Sequence, residues 1–525
     1  MDMYLDKTKS ALVASFAGLM TSCIAAVITL KLVAHEHGVT SSRAFRFAQA
    51  NSFKHWPTGM QLFAALSIVL GMAVAFLLWT VIASHRWTVR PRRLNSAEAS
   101  ADLTAKSTPA NLPRIFAGKF GGKHFFASIE DRGLVIGPPG TGKTAFLFNQ
   151  ILRAMKTGLS FVVIDIKPEL HKTLAPSLEK AGYRVLRINP AKVDSDADHW
   201  NPLADITDET DIAEMCASLL PIRDAKEAPF IEAQRDWLKA AVFHISTTPG
   251  GSLPAAFNLL SSTPDPLQIL DVLGRSASPT ATRLARRIAA GLAGAKPDPL
   301  ILQGLTGALR GLDYLGLSGV QDSLGHSDFS ARELGKGNQP TALFLQFEEA
   351  KINALGPLLA FMATGVITAL IDTAGKRKPV ALFLDELGNM PPIPNLPEKL
   401  NTIRSRHIPT WMYFQTTEQM NRYGRGADST FFAAADVQIV FRLNDQNTRE
   451  LICKLIGTTE KEKISHSQNG ERGGKTRSKE KVNVIEPHQL GQLAAGEVVT
   501  LYRGAAARGR ATPHFIDFPE FRRKE

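Results

Sequence analysis

The stretch VIGPPGTGKTAF occupies residues 135–146 and contains a complete G-x-x-x-x-G-K-[ST] pattern. A short apolar run, residues 134–136, precedes the pattern, and a run compatible with a helix, residues 145–155, follows it. In such a strand–loop–helix unit, the glycines let backbone N–H groups face a phosphate chain at the helix N-terminus. The stretch therefore predicts a nucleotide site lined by Gly137, Pro138, Pro139, Gly140, Thr141, Gly142, Lys143 and Thr144.

A second motif supplies the acidic groups that a phosphate-binding loop needs. Five apolar residues, 380–384, lead directly into Asp385 and Glu386, as expected for a buried strand. We expect ATP and Mg²⁺ as cofactors, with Lys143 on the β- and γ-phosphates and Thr144 and Asp385 holding the magnesium. Glu386 is then placed to polarise the attacking water. A glutamate at this position favours a hydrolysing motor over a kinase.

The surrounding pattern predicts an α/β fold with a parallel sheet. Further strands are expected at residues 161–165, 342–346, 410–414 and 437–441, mostly separated by helical stretches. Between about residues 201 and 335 the strand signal disappears. Helices are expected there at 211–220, 231–245, 266–273, 280–292 and 300–313, with Asp265 as an N-cap before Pro266. The sequence thus predicts a nucleotide-binding sheet interrupted by an all-helical insertion.

Three polar residues near the second motif are candidates for sensing or completing the site. Gln415 follows the strand after Asp385, where an amide can sense the γ-phosphate as in RecA-like motors; a capping glutamine is the alternative. Arg404 and Arg406 offer guanidiniums that, in a ring, can reach a neighbour's γ-phosphate. By residue type alone, solvated arginines are the commoner case.

The N-terminal region contains two apolar runs, residues 11–33 and 62–84, each about the 20 residues that a helix needs to cross a bilayer. The cationic flanks favour both termini in the cytoplasm, since the outer flanks hold more of the charge. The flanking cations are Lys7, Lys9, Arg86, Arg90, Arg92 and Arg93, against Arg43, Arg46 and Lys54 in the loop between the runs. A buried helical pair in a soluble domain is the alternative. We expect no comparable apolar run after Ser84.

Length and charge are consistent with this organisation. The 525 residues exceed one ordinary core, and the net charge of +12 favours anionic partners such as nucleic acid or a lipid surface. Three isolated cysteines fit no metal or disulfide pattern. The expected division is a transmembrane hairpin at 1–90, a nucleotide-binding domain at 91–200 and 336–525, and an all-α domain at 201–335. The polar, cationic segment 461–481 predicts a mobile loop, with DNA contact as a secondary possibility.

Several longer segments resemble one family, the coupling proteins of type IV secretion systems (the TraG/TraD, or TrwB-like, family). The similar segments are VIDIKPELHKTLAPSLEKAGYRVLRINP (163–190), HWNPLADI (199–206), APFIEAQRDWLKAA (228–241), LPEKLNTIRSRHIPTWMYFQTTEQMNRYG (396–424) and VIEPHQLGQLAAGEVVTLYRG (484–504). Two features depart from the family. Its phosphate loop often ends Ser-Gly-Lys-Gly, and Pro168 replaces the usual glycine of an Asp-x-Lys-Gly-Glu motif, which leaves the roles of Asp165, Lys167 and Glu169 open.

The resemblance implies an inner-membrane, multi-pass ATPase that works as a homo-oligomeric ring, most often a hexamer. It implies ATP contacts for Lys143, Thr144, Asp385 and Glu386, a sensor role for Gln415, and a trans-acting role for Arg404 with Arg406 as the fallback. The implied cargo is relaxase-bound DNA, single- or double-stranded, or secreted proteins. The implied neighbours are the inner-membrane components of a type IV secretion channel.

Three other functions fit the same motifs. A DNA translocase of the FtsK type shares the anchor and the motor, but those proteins end in a winged helix, whereas this chain ends in FPEFRRKE (518–525) soon after the last expected strands. A coupling protein dedicated to effector export uses the same motor on proteins. A membrane-tethered scaffold that binds ATP without turnover is the third, and the intact Asp385–Glu386 pair argues against it.

Overall fold

The computed structural model describes residues 94–166, 169–222, 224–293, 296–467 and 474–521, with four isolated positions before residue 94. The predicted membrane hairpin therefore lies outside the described residues, apart from those isolated positions. Lys167 and Pro168 lie outside them as well. The chain divides into two compact units, Met1–Arg90 and Pro91–Glu525. All the described strands belong to the second unit, Pro91–Glu525.

The centre of this unit is an eleven-stranded sheet with the order β2-β1-β13-β12-β9-β3-β8-β7-β4-β6-β5. The strands of this sheet are β1 (Arg114–Phe120), β2 (Lys123–Ser128), β3 (Gly133–Ile136), β4 (Ser160–Asp165), β5 (Arg184–Ile188), β6 (Thr341–Gln346), β7 (Val380–Leu384), β8 (Thr410–Phe414), β9 (Val437–Val440), β12 (Glu497–Tyr502) and β13 (Ala505–Arg510). A separate two-stranded ribbon consists of β10 (Thr458–Ser467) and β11 (Gly474–Asn483).

The strands from β9 to β5 are all parallel, which confirms the parallel sheet predicted from the sequence. The other edge is antiparallel, because β12 pairs with β9 and is followed by β13, β1 and β2. The pair β1–β2 is missing from the sequence prediction. Its signal is the turn Gly121–Gly122, whose positive φ angles of 53° and 82° suit a two-residue hairpin connection.

The helices before β6 are α1 (Ala97–Ala105), α2 (Lys143–Lys156), α3 (Glu169–Lys180), α4 (Glu209–Leu219), α5 (Ala228–Ser246), α6 (Leu253–Ser261), α7 (Pro266–Gly274), α8 (Pro279–Leu292), α9 (Pro299–Gly311) and α10 (Ser318–Gly325). Those after β6 are α11 (Ile352–Asp372), α12 (Leu396–Ser405), α13 (Thr417–Met420), α14 (Ala427–Ala434), α15 (Gln446–Ile456), α16 (Pro487–Leu490) and α17 (His514–Asp517).

Between β5 and β6 the described residues form helices and turns without a strand. All five helices predicted there are present, whereas the short α6 and α10 were not predicted. The predicted N-cap is confirmed, since the N–H of Leu267 donates to Asp265 Oδ1 at 3.0 Å. These helices share one continuous apolar core with one face of the sheet. Alternate residues of β4 show the division: Val162 and Ile164 belong to that core, and Phe161 and Val163 to the core on the other face.

The expectation of no further apolar run after Ser84 is wrong. Among the described residues, the helical segment Glu349–Asp372 is long and apolar enough to cross a membrane by length and composition, with a mean hydropathy of 2.0. Its most apolar window is 83% buried within the protein. A helix that is enclosed on all sides is apolar all round. This segment therefore reads as a core helix, inserted between β6 and β7.

The mobile loop predicted at 461–481 is also wrong for the described part of that segment. Ten residues of β10 pair with ten residues of β11, from Thr458 opposite Asn483 to Ser467 opposite Gly474. The strand signal was missed because both strands consist mostly of charged residues, Ser and Thr, and their sequences have no apolar face. The polar composition indicated a loop, whereas the backbone of this segment pairs as two antiparallel strands.

Candidate nucleotide site

The phosphate-binding loop connects β3 to α2 at the carboxyl edge of the parallel strands. Gly140 and Gly142 have φ angles of 75° and 106°, a region that side chains rarely adopt. Gly137 has a different reason to be glycine, because a Cβ there would lie 2.7 Å from the Cβ of Phe441. Thr141 Oγ1 donates to the carbonyl of Pro138 at 2.8 Å and closes the loop. The loop is thereby curled over the start of α2.

The two residues that end the motif begin α2. Lys143 is buried, and its Nζ donates to the carbonyl oxygens of Gly137 and Pro138, the latter at 3.2 Å. Thr144 lies in the first helical turn and is half-buried. The helix has Gly142 as its N-cap without a side-chain acceptor, so its first N–H groups are available to an anion. These features fit the triphosphate of a nucleotide.

The acidic pair follows β7 and is enclosed by the protein. Asp385 and Glu386 are each 8% exposed. Glu386 has a φ of 54°, a strained value for a residue with a side chain. Its backbone N–H donates to Asp385 Oδ1 at 3.0 Å, which holds the Asp385 carboxylate against the backbone of Glu386. A carboxylate beside the phosphate loop fits magnesium, because Mg²⁺ prefers carboxylate, phosphate and water oxygens.

Gln415 connects the acidic pair to the phosphate loop. The strand order β3-β8-β7 places β8 between the strand of the loop and that of Asp385, and Gln415 directly follows β8. The end of β8 is bonded on both sides, since Gly137 N donates to Phe414 O and Leu387 N donates to Tyr413 O. Gln415 Nε2 donates to Glu386 Oε2 at 2.9 Å. The structure therefore brings the predicted sensor and the predicted base into direct contact.

Two amides that sequence reasoning missed complete this network. Asn389 Nδ2 donates to Glu386 Oε2 at 2.8 Å, and the N–H of Gln415 donates to Gln419 Oε1 at 2.8 Å. Gly388 makes room for this arrangement, because a Cβ there would lie 2.0 Å from Gln419 Oε1. The available signal was the sequence DELGN, in which a glycine and an amide directly follow the acidic pair.

The predicted arginines lie at the opposite edge of the sheet. Arg404 is in the last turn of α12, which leads to the amino end of β8, whereas the phosphate loop follows the carboxyl end of β3. Because β3 and β8 are parallel, these two ends lie at opposite edges. Arg404 is half-exposed, with Nη2 3.8 Å from Asp436 Oδ1, and Arg406 caps α12 on the exposed surface. Neither side chain joins the nucleotide site of its own subunit.

Asp165 is a buried carboxyl next to the acidic pair. It ends β4, which pairs with β7 so that Asp165 and Asp385 follow in register. Burial raises the pKa of Asp165 to about 7, and the nearby charge of Asp385 adds to the rise, whereas the N–H groups of His171 and Leu170 oppose it. Among the described residues, its Oδ1 has no hydrogen-bond partner. Glu169 is exposed at the start of α3.

Replacing Asp165 by Asn is expected to stabilise the protein more at pH 8 than at pH 5. The folded pKa of about 7 exceeds the ordinary value of 3.8, so the folded protein holds a proton that the unfolded chain releases. Stability therefore falls as the pH rises from about 4 to 7 and stays low above that range. At pH 8 the free energy of unfolding of the variant should exceed that of the parent protein by about 1 kcal/mol or more. Melting temperatures at both pH values test this.

Asp196→Asn is the matched control for this measurement, because Asp196 is exposed in the loop after β5. Its melting temperature should follow that of the parent protein at both pH values. Equal gains for Asp165→Asn at pH 5 and pH 8 would contradict the expected protonation of the folded state.

Comparisons with known proteins agree with this geometry. The family model described as type IV secretory system conjugative DNA transfer matches residues 101–509. The solved structure of the bacterial conjugative coupling protein TrwBdeltaN70, unbound form, is 17% identical, with a TM-score of 0.63 over 79% of this chain and 90% of that chain. TrwB in complex with ADP and Mg²⁺ is 18% identical, with a TM-score of 0.63 over 80% and 93%. A complex of TrwB with the ATP analogue ADPNP gives the same values. A search of curated protein sequences finds no match.

Proposed function

Because the chain belongs to the type IV secretory system conjugative DNA transfer family, we propose that it hydrolyses ATP to deliver DNA to a secretion channel. The cargo is a relaxase-bound strand, and the chain acts as the coupling protein between that cargo and the channel. The FtsK-type alternative is not favoured, since the family model that matches concerns conjugative transfer. Nothing in the described residues favours export of proteins alone.

The observation that supports turnover is the contact between Glu386 and Gln415 at the edge that holds the phosphate loop. A base that polarises water must be held in place, and a sensor must respond to the γ-phosphate. Here one hydrogen bond joins the two groups, so loss of the γ-phosphate at Gln415 can be transmitted directly to Glu386. A scaffold that only binds nucleotide has no need for this linkage.

The nucleotide and the metal are ATP and Mg²⁺. Lys143 and the N–H groups of the loop hold the phosphates, while Thr144 and Asp385 hold the magnesium, which neutralises charge on the phosphates. Solved complexes of TrwB with ADP and Mg²⁺ and with ADPNP support this assignment, because they share the fold. The protein itself positions the nucleotide, the base and the attacking water.

A ring of subunits, a hexamer as in the family resemblance, completes the site. Arg404 lies at the edge of the sheet opposite the phosphate loop, where a neighbouring subunit in a head-to-tail ring can meet it. The predicted spans at 11–33 and 62–84 anchor this ring at the inner membrane beside the channel components. Movement of the ring then passes cargo toward the channel.

Lys143→Ala tests the proposed function most directly. Loss of the ammonium group removes a contact that stabilises the phosphates in both ground and transition states, so ATP hydrolysis should fall at least about 100-fold. The measurement is the ATPase rate of the full-length protein in lipid nanodiscs, with and without single-stranded DNA, together with conjugative transfer from cells. Lys180→Ala, which changes an exposed lysine at the end of α3, is the matched control. Parental transfer by Lys143→Ala cells would overturn the proposal.

A further inference from the structure

Two histidines and an aspartate meet where the chain enters and leaves the helical segment between β5 and β6. His199 lies after β5, before the first α-helix of that segment, whereas His326 and Asp328 follow its last α-helix, α10. His199 and Asp328 are 129 residues apart in the chain. Ring nitrogens of both histidines and a carboxylate oxygen of Asp328 nevertheless lie within 4.8 Å of one another. The fold thus brings three side chains that commonly ligate metals to one place.

Hydrogen bonds hold the two segments side by side at this place. The N–H of Asp328 donates to the carbonyl of His199 at 2.9 Å, and the N–H of His199 donates to Asp328 Oδ2 at 2.9 Å. The N–H of Trp200 donates to the carbonyl of Ser323, also at 2.9 Å. The backbone that carries the three side chains is therefore fixed before a ligand binds, which lowers the entropy cost of binding.

The two imidazoles share the Asp328 carboxylate. Nδ1 of His199 is 2.6 Å from Asp328 Oδ2, and Nε2 of His326 is 3.8 Å from Asp328 Oδ1. The rings of His199 and His326 stack, with their centroids 4.1 Å apart. A second carboxylate is close, because Asp322 Oδ2 is 3.6 Å from Nε2 of His199. His326 and Asp328 are exposed, so an ion can reach them from solvent.

We propose that His199, His326 and Asp328 form a site for a divalent transition-metal ion, Zn²⁺ foremost. Imidazole and carboxylate are zinc ligands, and with bonds of about 2.0 Å the ligand atoms of a tetrahedral site lie about 3.3 Å apart. Rotations of the exposed side chains of His326 and Asp328 bring the three ligand atoms to that separation. Two imidazoles distinguish this site from the magnesium site, because Mg²⁺ prefers oxygen ligands. Water or Asp322 takes the remaining position.

The ion fastens the entry of the helical segment to its exit. One ligand, His199, belongs to the entering chain, and the other two belong to the leaving chain. A bridge of this kind stabilises the folded state, because the unfolded chain does not hold the three ligands together. The site is independent of ATP hydrolysis and of the cargo, so it can be tested without either.

Zinc binding is measured on the full-length protein in detergent, purified without a histidine tag and stripped of metal by a chelator. Competition with a chromophoric chelator, in excess Mg²⁺ and without nucleotide, gives the stoichiometry and the Kd. His326→Ala and Asp328→Asn each remove one ligand. His488→Ala, which removes an exposed histidine from α16, is the matched control. His326→Cys replaces the imidazole by another zinc ligand.

The parent protein should bind one Zn²⁺ ion that the two ligand variants bind at least about 10-fold more weakly, since even an indirect partner of a zinc ligand contributes that much. His488→Ala and His326→Cys should bind it with an affinity close to that of the parent protein. With Co²⁺ in place of Zn²⁺, His326→Cys should show a thiolate charge-transfer band in the near ultraviolet. Melting temperatures without metal that match the parent value show that the variants fold.

Two further measurements report on the bridge itself. Zn²⁺ at a hundredfold excess over its Kd should raise the melting temperature of the parent protein by about 3 °C and leave that of the ligand variants unchanged. Hydrogen exchange should slow in the peptides that contain the amides of Trp200 and Asp328, because those amides donate between the two segments.

The other outcomes contradict the inference. If the parent protein binds no Zn²⁺, or if both ligand variants bind it like the parent protein, the three side chains form no metal site. If His326→Cys binds as weakly as His326→Ala and shows no charge-transfer band, residue 326 does not touch the ion. If Zn²⁺ binds without slowing hydrogen exchange, it does not fasten the two segments. The proposed function stands in each case, because the ATPase and transfer measurements test it separately.

Discussion

Glu386→Gln is expected to lower the ATPase rate at least about 100-fold while nucleotide binding persists, which is the usual size of a lost general base. Glu386 lies just after β7 and accepts a hydrogen bond from Gln415. Because Glu386 is only 8% exposed, bulk water cannot replace its carboxylate. Glutamine cannot accept a proton from the attacking water. The variant should therefore bind ATP and Mg²⁺ and fail to turn them over.

The substitution should leave the fold intact. Glu386 Oε2 accepts hydrogen bonds from Asn389 and Gln415, and the amide oxygen of a glutamine can accept both. The side chains have the same shape, so no cavity forms. Loss of activity in this variant thus reports on chemistry, and a melting temperature close to that of the parent protein checks the point.

The measurement combines the steady-state ATPase rate with titration of a fluorescent nucleotide. Glu398→Gln is the matched control, because Glu398 is exposed on α12 and the substitution removes the same charge. The control should hydrolyse ATP like the parent protein. Parental turnover by Glu386→Gln would remove Glu386 as the base and would favour a different group at this edge of the sheet.

The nucleotide site illustrates what could be predicted from sequence. The phosphate loop has a strict spacing and Asp385 ends a fully apolar strand, so both were identified, and parallel strands bring their carboxyl ends to one edge. Asn389 and Gln419 were missed because they act through the geometry of two turns that no local pattern specifies. Their contact depends on Gly388, whose role is visible only when Gln419 lies against it.

The fold was predictable where burial sets a simple pattern and less so elsewhere. The middle strands are buried on both faces and were read as continuous apolar runs. The core helix at Glu349–Asp372 has the same property, but its length suits a membrane span equally well. The ribbon β10–β11 has no apolar face, and only backbone pairing reveals it. Composition therefore indicates that a segment is buried. It does not reveal whether protein or lipid surrounds an apolar helix, or which polar strands pair with each other.

Arg404→Ala should reduce the ATPase rate of the assembled ring about 10³-fold or more, the effect typical of a lost arginine finger. Among the described residues of its own subunit, the Arg404 side chain has one ion pair, with Asp436 at 3.8 Å. An ion pair involving a half-exposed side chain contributes little to stability. The guanidinium can therefore exchange this carboxylate for a phosphate of the next subunit. Arg406→Ala tests the fallback arginine, two residues further along the chain, and should retain most activity.

Mixing experiments decide whether Arg404 acts between subunits. Arg404→Ala subunits keep a complete phosphate loop, and Lys143→Ala subunits keep a complete Arg404, so each homo-oligomer is inactive for a different reason. In randomly mixed rings made from equal amounts, about a quarter of the head-to-tail interfaces join an intact loop to an intact arginine. Activity should reappear on mixing because those interfaces are whole. If mixed rings form but stay as inactive as the two homo-oligomers, Arg404 does not act in trans. The edge of the sheet that holds α12 is then not the edge that faces the nucleotide of the neighbouring subunit.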